Sequence, residues 1–207
     1  MTPLFNGMLT GLFLQLALGP VFFYIFGITV DSSYINSLSA ILAVTIVDYI
    51  YIVLSLIGIG KLLQNDRIKK IFGIISSTIL FLFGLMMLYK GLAFVNDAGH
   101  VGSVAWTPVS SFTSCFVLTA SSPLTIVFWS SVFSAKAIEK NYKKKELVIF
   151  GIGTGLSTFL FLSLSMMILS LFKSSIPDLI VQILNCSVGF VLICYGITRT
   201  IKTLRNK

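Results

Sequence analysis

Asp48 is the residue best suited to chemistry, because it is the one acid that lies deep inside an apolar segment of the sequence. No lysine, arginine or histidine lies at a comparable depth, so no fixed cation is available to pair with it. A carboxylate near the centre of a bilayer costs several kcal/mol unless it is paired, protonated or hydrated. Asp48 is therefore predicted to bind a proton, water or an ammonium group. A protonated carboxyl group bonded to a neighbouring helix is the structural alternative.

Two prolines inside apolar segments predict a second kind of chemistry. Pro20 follows Gly19 in the segment Leu12–Phe26, and Pro123 follows Ser122 in another apolar segment. Proline suits the first position of a helix, and the residue before it then occupies the capping position. The N-terminal end of each new helix carries roughly half a positive charge, which suits an anion such as a carboxylate. Both breaks are therefore predicted to bind substrate, and a kink that only packs helices is the alternative.

The rest of the chain consists of segments that would hold these residues in a membrane. Hydrophobic residues make up 56% of the 207 residues and charged residues only 11%. A helix needs roughly 20 residues to cross about 30 Å of hydrocarbon. Six segments meet this length: Leu4–Ile28, Ile35–Gly60, Ile71–Val95, Phe112–Ala135, Leu147–Phe172 and Ile176–Thr198. We predict an all-α integral membrane protein with six transmembrane helices, of which the first and fourth are broken by proline.

The lysines and arginines predict how these helices are oriented. A net charge of +8 would suggest nucleic-acid binding in a soluble chain, but no nucleic-acid partner is expected when so little of the chain is soluble. Of the 15 cations, all but Lys90 and Lys173 lie in residues 61–70, 136–146 and 199–207. Cytoplasmic loops carry the excess of cations in membrane proteins. Both termini are therefore predicted to be cytoplasmic, as an even number of spans also requires.

The two halves of the sequence resemble each other. Leu16–Tyr24 aligns with Thr119–Val127, with one proline over the other, and Phe83–Leu85 resembles Val188–Phe190. Each half has three spans, so the halves would cross the membrane in opposite directions as an inverted repeat. Broken helices in corresponding positions of such halves indicate a transporter site between them. The predicted parts are a first repeat, an extracytoplasmic connecting loop, and a second repeat with a basic cytoplasmic tail: residues 1–95, 96–111 and 112–207.

Other polar and small residues in the spans give weaker predictions. Gln15 and Asn185 can each either bond across helices or contact substrate. Gly7, Gly11 and Gly19 share one stripe of the first helix with Gln15 because they are spaced four residues apart. Small residues let another helix approach closely, so helix packing is the expected role of these glycines.

Several motifs together resemble the LysE/RhtB family of amino-acid exporters. They are Gly11-Leu12, Gln15 and Leu18-Gly19-Pro20 in the first span, Asp48-Tyr49 in the second, Phe83-Gly84 in the third, and Ser122-Pro123 and Phe128-Trp129 in the fourth. The resemblance covers nearly the whole chain, although Leu18 and Ser122 stand where the family usually has proline and asparagine. It implies a compact multi-pass exporter of the bacterial cytoplasmic membrane that expels amino acids or similar small metabolites against proton influx.

Residues and resemblance together predict one substrate site with seven members: Gln15, Gly19, Pro20, Asp48, Ser122, Pro123 and Asn185. The substrate carboxylate would rest at the two half-helix ends, while Asp48 exchanges a proton for the substrate ammonium group. The substrate remains open among lysine, threonine, homoserine and other small metabolites. No cofactor is expected, and a homodimer is compatible with so small a transporter.

Three other classes of membrane protein can be compared with the same residues. A thiol-disulfide carrier needs a cysteine at each helix break, and Cys115 has no counterpart near Pro20. A membrane hydrolase needs a nucleophile and a base, and the one histidine, His100, lies in a predicted outer loop, so no enzyme is predicted. A heavy-metal exporter of the cadmium type remains the alternative, because Asp48 could form a site with a cysteine from another helix.

Overall fold

The structure is a computed structural model that describes residues 2–15, 19–58, 66–96, 106–121, 124–173 and 177–205. These residues form eight α-helices and no strand. In chain order, α1 to α8 are Pro3–Gln15, Pro20–Asp31, Tyr34–Ile57, Asp66–Asn96, Pro108–Ala120, Leu124–Glu139, Lys144–Phe172 and Asp178–Arg205. The prediction of an all-α protein is thus confirmed for the described part of the chain.

Local sequence explains where several helices begin and end. Pro20 is the first residue of α2 and Gly19 is its N-cap, so the predicted helix start at this proline is confirmed. At the start of α5, the Ser110 N–H donates a 3.1 Å hydrogen bond to the Thr107 hydroxyl, which satisfies one of the free N–H groups of the first turn. The helix α3 ends at Gly58, whose φ of 86° is a left-handed conformation that glycine adopts without strain.

The helices follow the predicted apolar segments, but several of them are longer. The first segment corresponds to α1 and α2, the fourth to α5 and α6, and each of the other segments to one helix. The helix α5 begins at Pro108, before the predicted start at Phe112, and α6 ends at Glu139, beyond the predicted end at Ala135. The helix α4 begins at Asp66 and α8 continues to Arg205, beyond the apolar residues. Lysine and arginine are good helix formers, so the backbone stays helical after the apolar run has ended.

The long helices α3 and α7 contact each other and organise the bundle. The helix α1 packs along α7, and α5 packs along α3. The helix α6 also packs on α3, α2 packs on α3, α7 and α8, and α4 pairs with α8 along its length. The half-helices that end at the two breaks, α1 and α5, are therefore each held by a long helix from the other half of the chain.

Glycines allow two pairs of helices to approach closely. On α1, Gly7 lies against the backbone of α7 and Gly11 lies against Ser157, in agreement with the packing role expected of these two glycines. The packing role expected of Gly19 is wrong, because Gly19 lies beyond the end of α1, and a Cβ atom added to it would meet no described atom within 4 Å. Between α4 and α8, a Cβ atom on Gly84 would lie 2.9 Å from the carbonyl oxygen of Gly189, and a Cβ on Gly189 would lie 2.8 Å from that of Gly84. Neither contact leaves room for a larger residue without a shift of backbone.

Large apolar side chains lie on the outside of the bundle. Phe13 and Leu171 are each 72% exposed and Phe190 is 63% exposed, although soluble proteins rarely expose extensive apolar surface. Two helices, α3 and α7, are long and apolar enough to cross a membrane, and shorter apolar stretches lie in α2, α4, α5 and α8. Buried helices of soluble proteins share this length and composition, so the membrane assignment depends on the family described below.

Hydrogen bonds show which chain segments share each end of the bundle. At one end, which we call the Tyr142 end, Asn6 Nδ2 donates to the Tyr142 hydroxyl at 2.8 Å and joins the start of α1 to the α6–α7 connection. At the other, the Trp106 end, Asn36 Nδ2 donates to the Trp106 carbonyl oxygen at 2.8 Å. At the same end, Lys173 Nζ donates to the carbonyl oxygen of Ser32, just after α2, at 2.6 Å.

Candidate functional site

Asp48 lies in the middle of α3 and is buried, with only 8% of its surface exposed. It is the one buried acidic residue among the described side chains. Its carboxyl group lies beside the Thr158 side chain of α7. Lys136 pairs with Glu139 at the end of α6, and the described residues include no ion pair at Asp48. A buried carboxyl group therefore lies beside a neutral hydroxyl, and no cation among the described residues is paired with it.

Gln15, the last residue of α1, reaches the same hydroxyl group. Its side-chain amide Nε2 donates to Thr158 Oγ1 at 2.7 Å. Thr158 thus contacts Gln15 on one side and Asp48 on the other. Two of the predicted site residues are brought together in this way, at the point where the first helix break begins.

Tyr51 joins α3 to the second helix break. Its hydroxyl donates to the carbonyl oxygen of Ala120, the last residue of α5, at 2.8 Å, and lies 3.5 Å from that of Thr119. The last carbonyls of a helix have no partner within the helix, so this side chain satisfies one of them. One turn further along α3, Ser55 Oγ donates to the Ile126 carbonyl oxygen of α6 at 3.0 Å. The helix α3 therefore holds both sides of the second break.

The two breaks are held in a reciprocal manner. The end of α1 is bonded to α7 through Gln15 and Thr158, and the end of α5 is bonded to α3 through Tyr51. Asp48 lies beside Thr158 and three residues before Tyr51, which is about one helical turn. Asp48 therefore lies between Thr158, which holds the first break, and Tyr51, which holds the second.

Gly19 leaves the beginning of α2 open. Among the described residues, no side chain caps the helix there, and a Cβ atom added to Gly19 would meet no atom within 4 Å. The backbone is extended at Gly19, with φ of −100° and ψ of 177°. Any residue can adopt this conformation, so the backbone does not require a glycine here. The N-terminal end of α2 therefore combines a partial positive charge with free space. Pro20 is placed as the first residue of this helix.

The remaining predicted site residues lie elsewhere. Ser122 and Pro123 fall outside the described residues, between Ser121 and α6. Asn185 is buried in α8, where its Oδ1 atom would lie 3.4 Å from a Cβ added to Gly27 of α2. The structure thus places Asn185 against the body of α2, rather than in the group that joins Gln15 to Asp48.

Sequence reasoning missed Thr158 as a site residue and gave Tyr51 no definite role. The helix α7 contains Thr154, Ser157 and Thr158 within one and a half turns, and nothing in the sequence distinguishes the third from the others. Tyr51 is one of 7 tyrosines in a chain with 18 phenylalanines, so its type alone carries little information. The one signal available in the sequence was that Tyr51 lies one helical turn after Asp48 in the same apolar segment.

The arrangement offers hydrogen-bonding groups of opposite character to a small polar ligand. The buried carboxyl group of Asp48 can accept from an ammonium group or take up a proton, and the partial positive charge at the N-terminal end of α2 can attract an anion. No group of three or more histidine, cysteine, aspartate or glutamate side chains comes together within the described ranges. A molecule with both an ammonium and a carboxylate group matches the two polar parts of the site.

The chain was compared with known proteins. Comparisons with curated proteins and with solved structures gave no match. The family model for LysE type translocator matches residues 12–202, a range that includes both helix breaks, Asp48 and Thr158. A match over this much of the chain establishes the relationship that Gly19-Pro20 and the other motifs suggested, and that family consists of multi-pass membrane transporters rather than enzymes. The chain therefore belongs to the LysE-type translocator family.

Proposed function

We propose that this translocator is a secondary exporter of amino acids or similar small metabolites, driven by proton influx. The observation that carries the proposal is the buried Asp48, which has no ion pair among the described residues and lies beside Thr158, the side chain that holds the end of a broken helix. A buried acid of this kind inside a membrane protein is a functional group by default. Its two available partners in a transport cycle are a proton and a substrate cation.

The substrate carboxylate binds at the half-helix ends in this proposal. The uncapped N-terminus of α2 at Gly19 has free space beside it and a favourable dipole. The corresponding end of α6, at Ser122 and Pro123, is proposed to meet the same carboxylate from the other repeat. Broken helices of other secondary transporters bind anionic substrate groups in this manner. The ammonium group of the substrate would then face Asp48.

Exchange at Asp48 couples the two fluxes. A proton arriving from outside neutralises the carboxyl group and releases the ammonium group, and its departure to the inside restores the charge for the next substrate. Gln15 and Asn185 are proposed to support binding, the former through Thr158 and the latter through the position of α2. Direction of transport follows from the family rather than from this chemistry.

Two inverted repeats, residues 1–95 and 112–207, are proposed to rock against each other around this site. Reciprocal contacts support this arrangement: α1 lies on α7 as α5 lies on α3, and Gly84 meets Gly189, its counterpart in the sequence repeat. The connection between α4 and α5 would lie outside the membrane, and it is shorter than the predicted 96–111 because α5 already begins at Pro108. Six spans follow if α1 with α2, and α5 with α6, each form one crossing.

The proposed location is the bacterial cytoplasmic membrane with both termini in the cytoplasm. The start of α1 and the lysine-rich α6–α7 connection share the Tyr142 end of the bundle, as cytoplasmic segments should. Lys173 lies at the Trp106 end, which is then extracytoplasmic. The chain is proposed to work within lipid, either alone or as a homodimer.

Growth of a hypersensitive bacterial strain tests this function. The strain would carry the protein, its Asp48→Asn variant, or the control Glu139→Gln, which removes an exposed acid from the end of α6. Each would be grown on toxic amino acids, their analogues and cadmium. Protection against one amino-acid class that is lost only in Asp48→Asn is expected. Protection against cadmium alone would reject amino-acid export in favour of metal efflux.

A further inference from the structure

Three residues with small polar or polarisable side chains form one buried face of α5. Ser111, Cys115 and Thr119 are spaced four residues apart, and their exposed fractions are 0%, 0% and 8%. This spacing places them above one another on the same side of the helix. We call this surface the α5 polar face. It belongs to the contact that α5 makes with α2 and α3.

The two hydroxyl groups of this face are buried without a hydrogen-bond partner. Ser111 Oγ and Thr119 Oγ1 are both in this state. Neighbouring hydroxyls of the same helix behave differently, since Thr113 donates to the Val109 carbonyl oxygen at 2.9 Å and Ser114 to that of Ser110 at 2.7 Å. A helical serine or threonine often bonds to its own backbone in this way. The two hydroxyls of the α5 polar face do not make this bond.

In the corresponding contact of the other half of the chain, three hydroxyl groups of α7 that the structure describes have hydrogen-bond partners. Where α1 packs on α7, Thr154 donates to the Phe150 carbonyl oxygen, Ser157 donates to that of Thr154, and Thr158 accepts from Gln15. Glycines also bring α1 and α7 into backbone contact. The α1–α7 contact therefore has the properties of a closed interface, whereas the α3–α5 contact contains groups that lack a partner.

The α5 polar face connects the candidate site to one end of the bundle. Thr119 lies at the second break, where its carbonyl oxygen is 3.5 Å from the Tyr51 hydroxyl. Ser111 lies one turn from the start of α5, close to the Trp106 end. Between them, Cys115 is near the Tyr24 side chain of α2. Unpaired hydroxyls along such a line are expected where water or a polar ligand enters in another conformation.

We propose that the α5 polar face lines the route by which substrate leaves the site toward the Trp106 end, with Ser111 and Thr119 bonding to the passing substrate or its water. This inference rests on the proposed function as an exporter. The route is closed in the present structure by α2 and α3, and it opens when these helices separate from α5. The ligand class is a small hydrated zwitterion.

Cysteine labelling during transport tests this route. In cells that express the Cys186→Ser/Cys194→Ser variant, Cys115 is the remaining thiol of the 3 in the chain. External methanethiosulfonate ethyltrimethylammonium, which is charged and needs a watery path, is expected to modify Cys115 and to stop transport. The control carries Val117→Cys in a cysteine-free chain, because Val117 is 43% exposed on another face of α5. This control is expected to stay unmodified.

The outcomes separate the route from the function. If the variant transports but Cys115 stays unmodified, or if Val117→Cys reacts equally fast, the route is wrong and the exporter proposal stands. If Cys115 reacts from outside but no amino acid is transported, the polar face opens outward in a carrier of something else. Mass spectrometry of the labelled wild-type chain measures the modification of Cys115 without any substitution.

A second variant separates a role in the route from a role in packing. Thr119→Val keeps the shape of the side chain but removes the unpaired hydroxyl, so thermal stability is expected to stay equal or to rise. Transport is expected to fall about fivefold to tenfold, the factor for one lost hydrogen bond to the substrate. Ser114→Ala is the control, because Ser114 bonds to its own helix. Unchanged transport in Thr119→Val would overturn the proposal.

Discussion

The side-chain amide of Gln15 lies 2.7 Å from the hydroxyl oxygen of Thr158, and the carboxyl group of Asp48 lies beside the same side chain. One residue of α7 is thus next to both the end of α1 and the middle of α3. A change in the charge of Asp48 changes the electrostatic field at the Thr158 hydroxyl, which holds the end of α1. The buried acid is therefore connected to the first helix break through one intervening side chain.

Replacing Thr158 with valine is expected to separate these groups without changing the size of the side chain. Gln15 and Asp48 would each lose a partner inside the bundle, at a cost of about 1–3 kcal/mol in the free energy of unfolding. Transport is expected to fall by a larger factor than this stability loss alone explains. The measurements are substrate efflux from loaded vesicles and thermal unfolding in detergent.

Thr154→Val is the matched control for this change. Thr154 is equally buried, lies one turn earlier on α7, and bonds at 2.8 Å to a carbonyl of its own helix. Its loss is expected to leave transport near the wild-type rate. Equal effects of the two substitutions on transport would show that Thr158 acts only in packing.

Removing the Tyr51 hydroxyl is expected to loosen the second break. Tyr51→Phe deletes the 2.8 Å bond to the Ala120 carbonyl oxygen and leaves that carbonyl without this donor, at a cost of about 0.5–1.5 kcal/mol. Because the end of α5 borders the candidate site, the apparent affinity for substrate should also weaken. Tyr49→Phe is the control, since the Tyr49 hydroxyl bonds at 3.1 Å to the Ile152 carbonyl of α7 on the exposed side. A larger loss of affinity in Tyr49→Phe than in Tyr51→Phe would contradict this role.

Gly19 and Gly11 are expected to respond differently to substitution by alanine. Gly19→Ala adds a methyl group where no atom lies within 4 Å, so the fold should be unchanged while the methyl occupies the proposed carboxylate position and weakens substrate binding. Gly11→Ala drives a methyl group into Ser157 and to 2.9 Å from the Thr154 carbonyl oxygen, and it should destabilise the protein by about 1–3 kcal/mol. Binding measured by titration and melting temperature distinguish the two effects. Full substrate affinity in Gly19→Ala would remove this end of α2 from the site.

The sequence was sufficient to predict features that depend on local chemistry. Pro20 fixes the start of α2 because proline lacks an N–H group and therefore favours the first position of a helix. Gly7 and Gly11 fall on one side of α1 because of helical spacing, and that side does pack on α7. The buried position of Asp48 follows from the length of the apolar segment around it.

Features that depend on contacts between distant segments could not be predicted. Thr158 is separated from Gln15 by 143 residues, and no local pattern indicates that they meet. Asn185 lies against Gly27 of α2, and this contact also joins distant segments that no local pattern connects. The helical extension of α8 to Arg205 was also missed, because hydropathy reports where apolar residues end and not where the helix ends.

The two ends of the bundle are expected to face opposite sides of the membrane, which an impermeant thiol reagent can test. Val109, 72% exposed at the start of α5, belongs to the Trp106 end, and Lys140, exposed after α6, belongs to the Tyr142 end. In a cysteine-free chain, Val109→Cys should react in intact cells, and Lys140→Cys should react only after the cells are permeabilised. This result follows if the lysine-rich connection is cytoplasmic, as the distribution of cations indicates. Labelling of both positions in intact cells would contradict the proposed crossing of the membrane between them, and the reverse pattern would invert the assigned orientation.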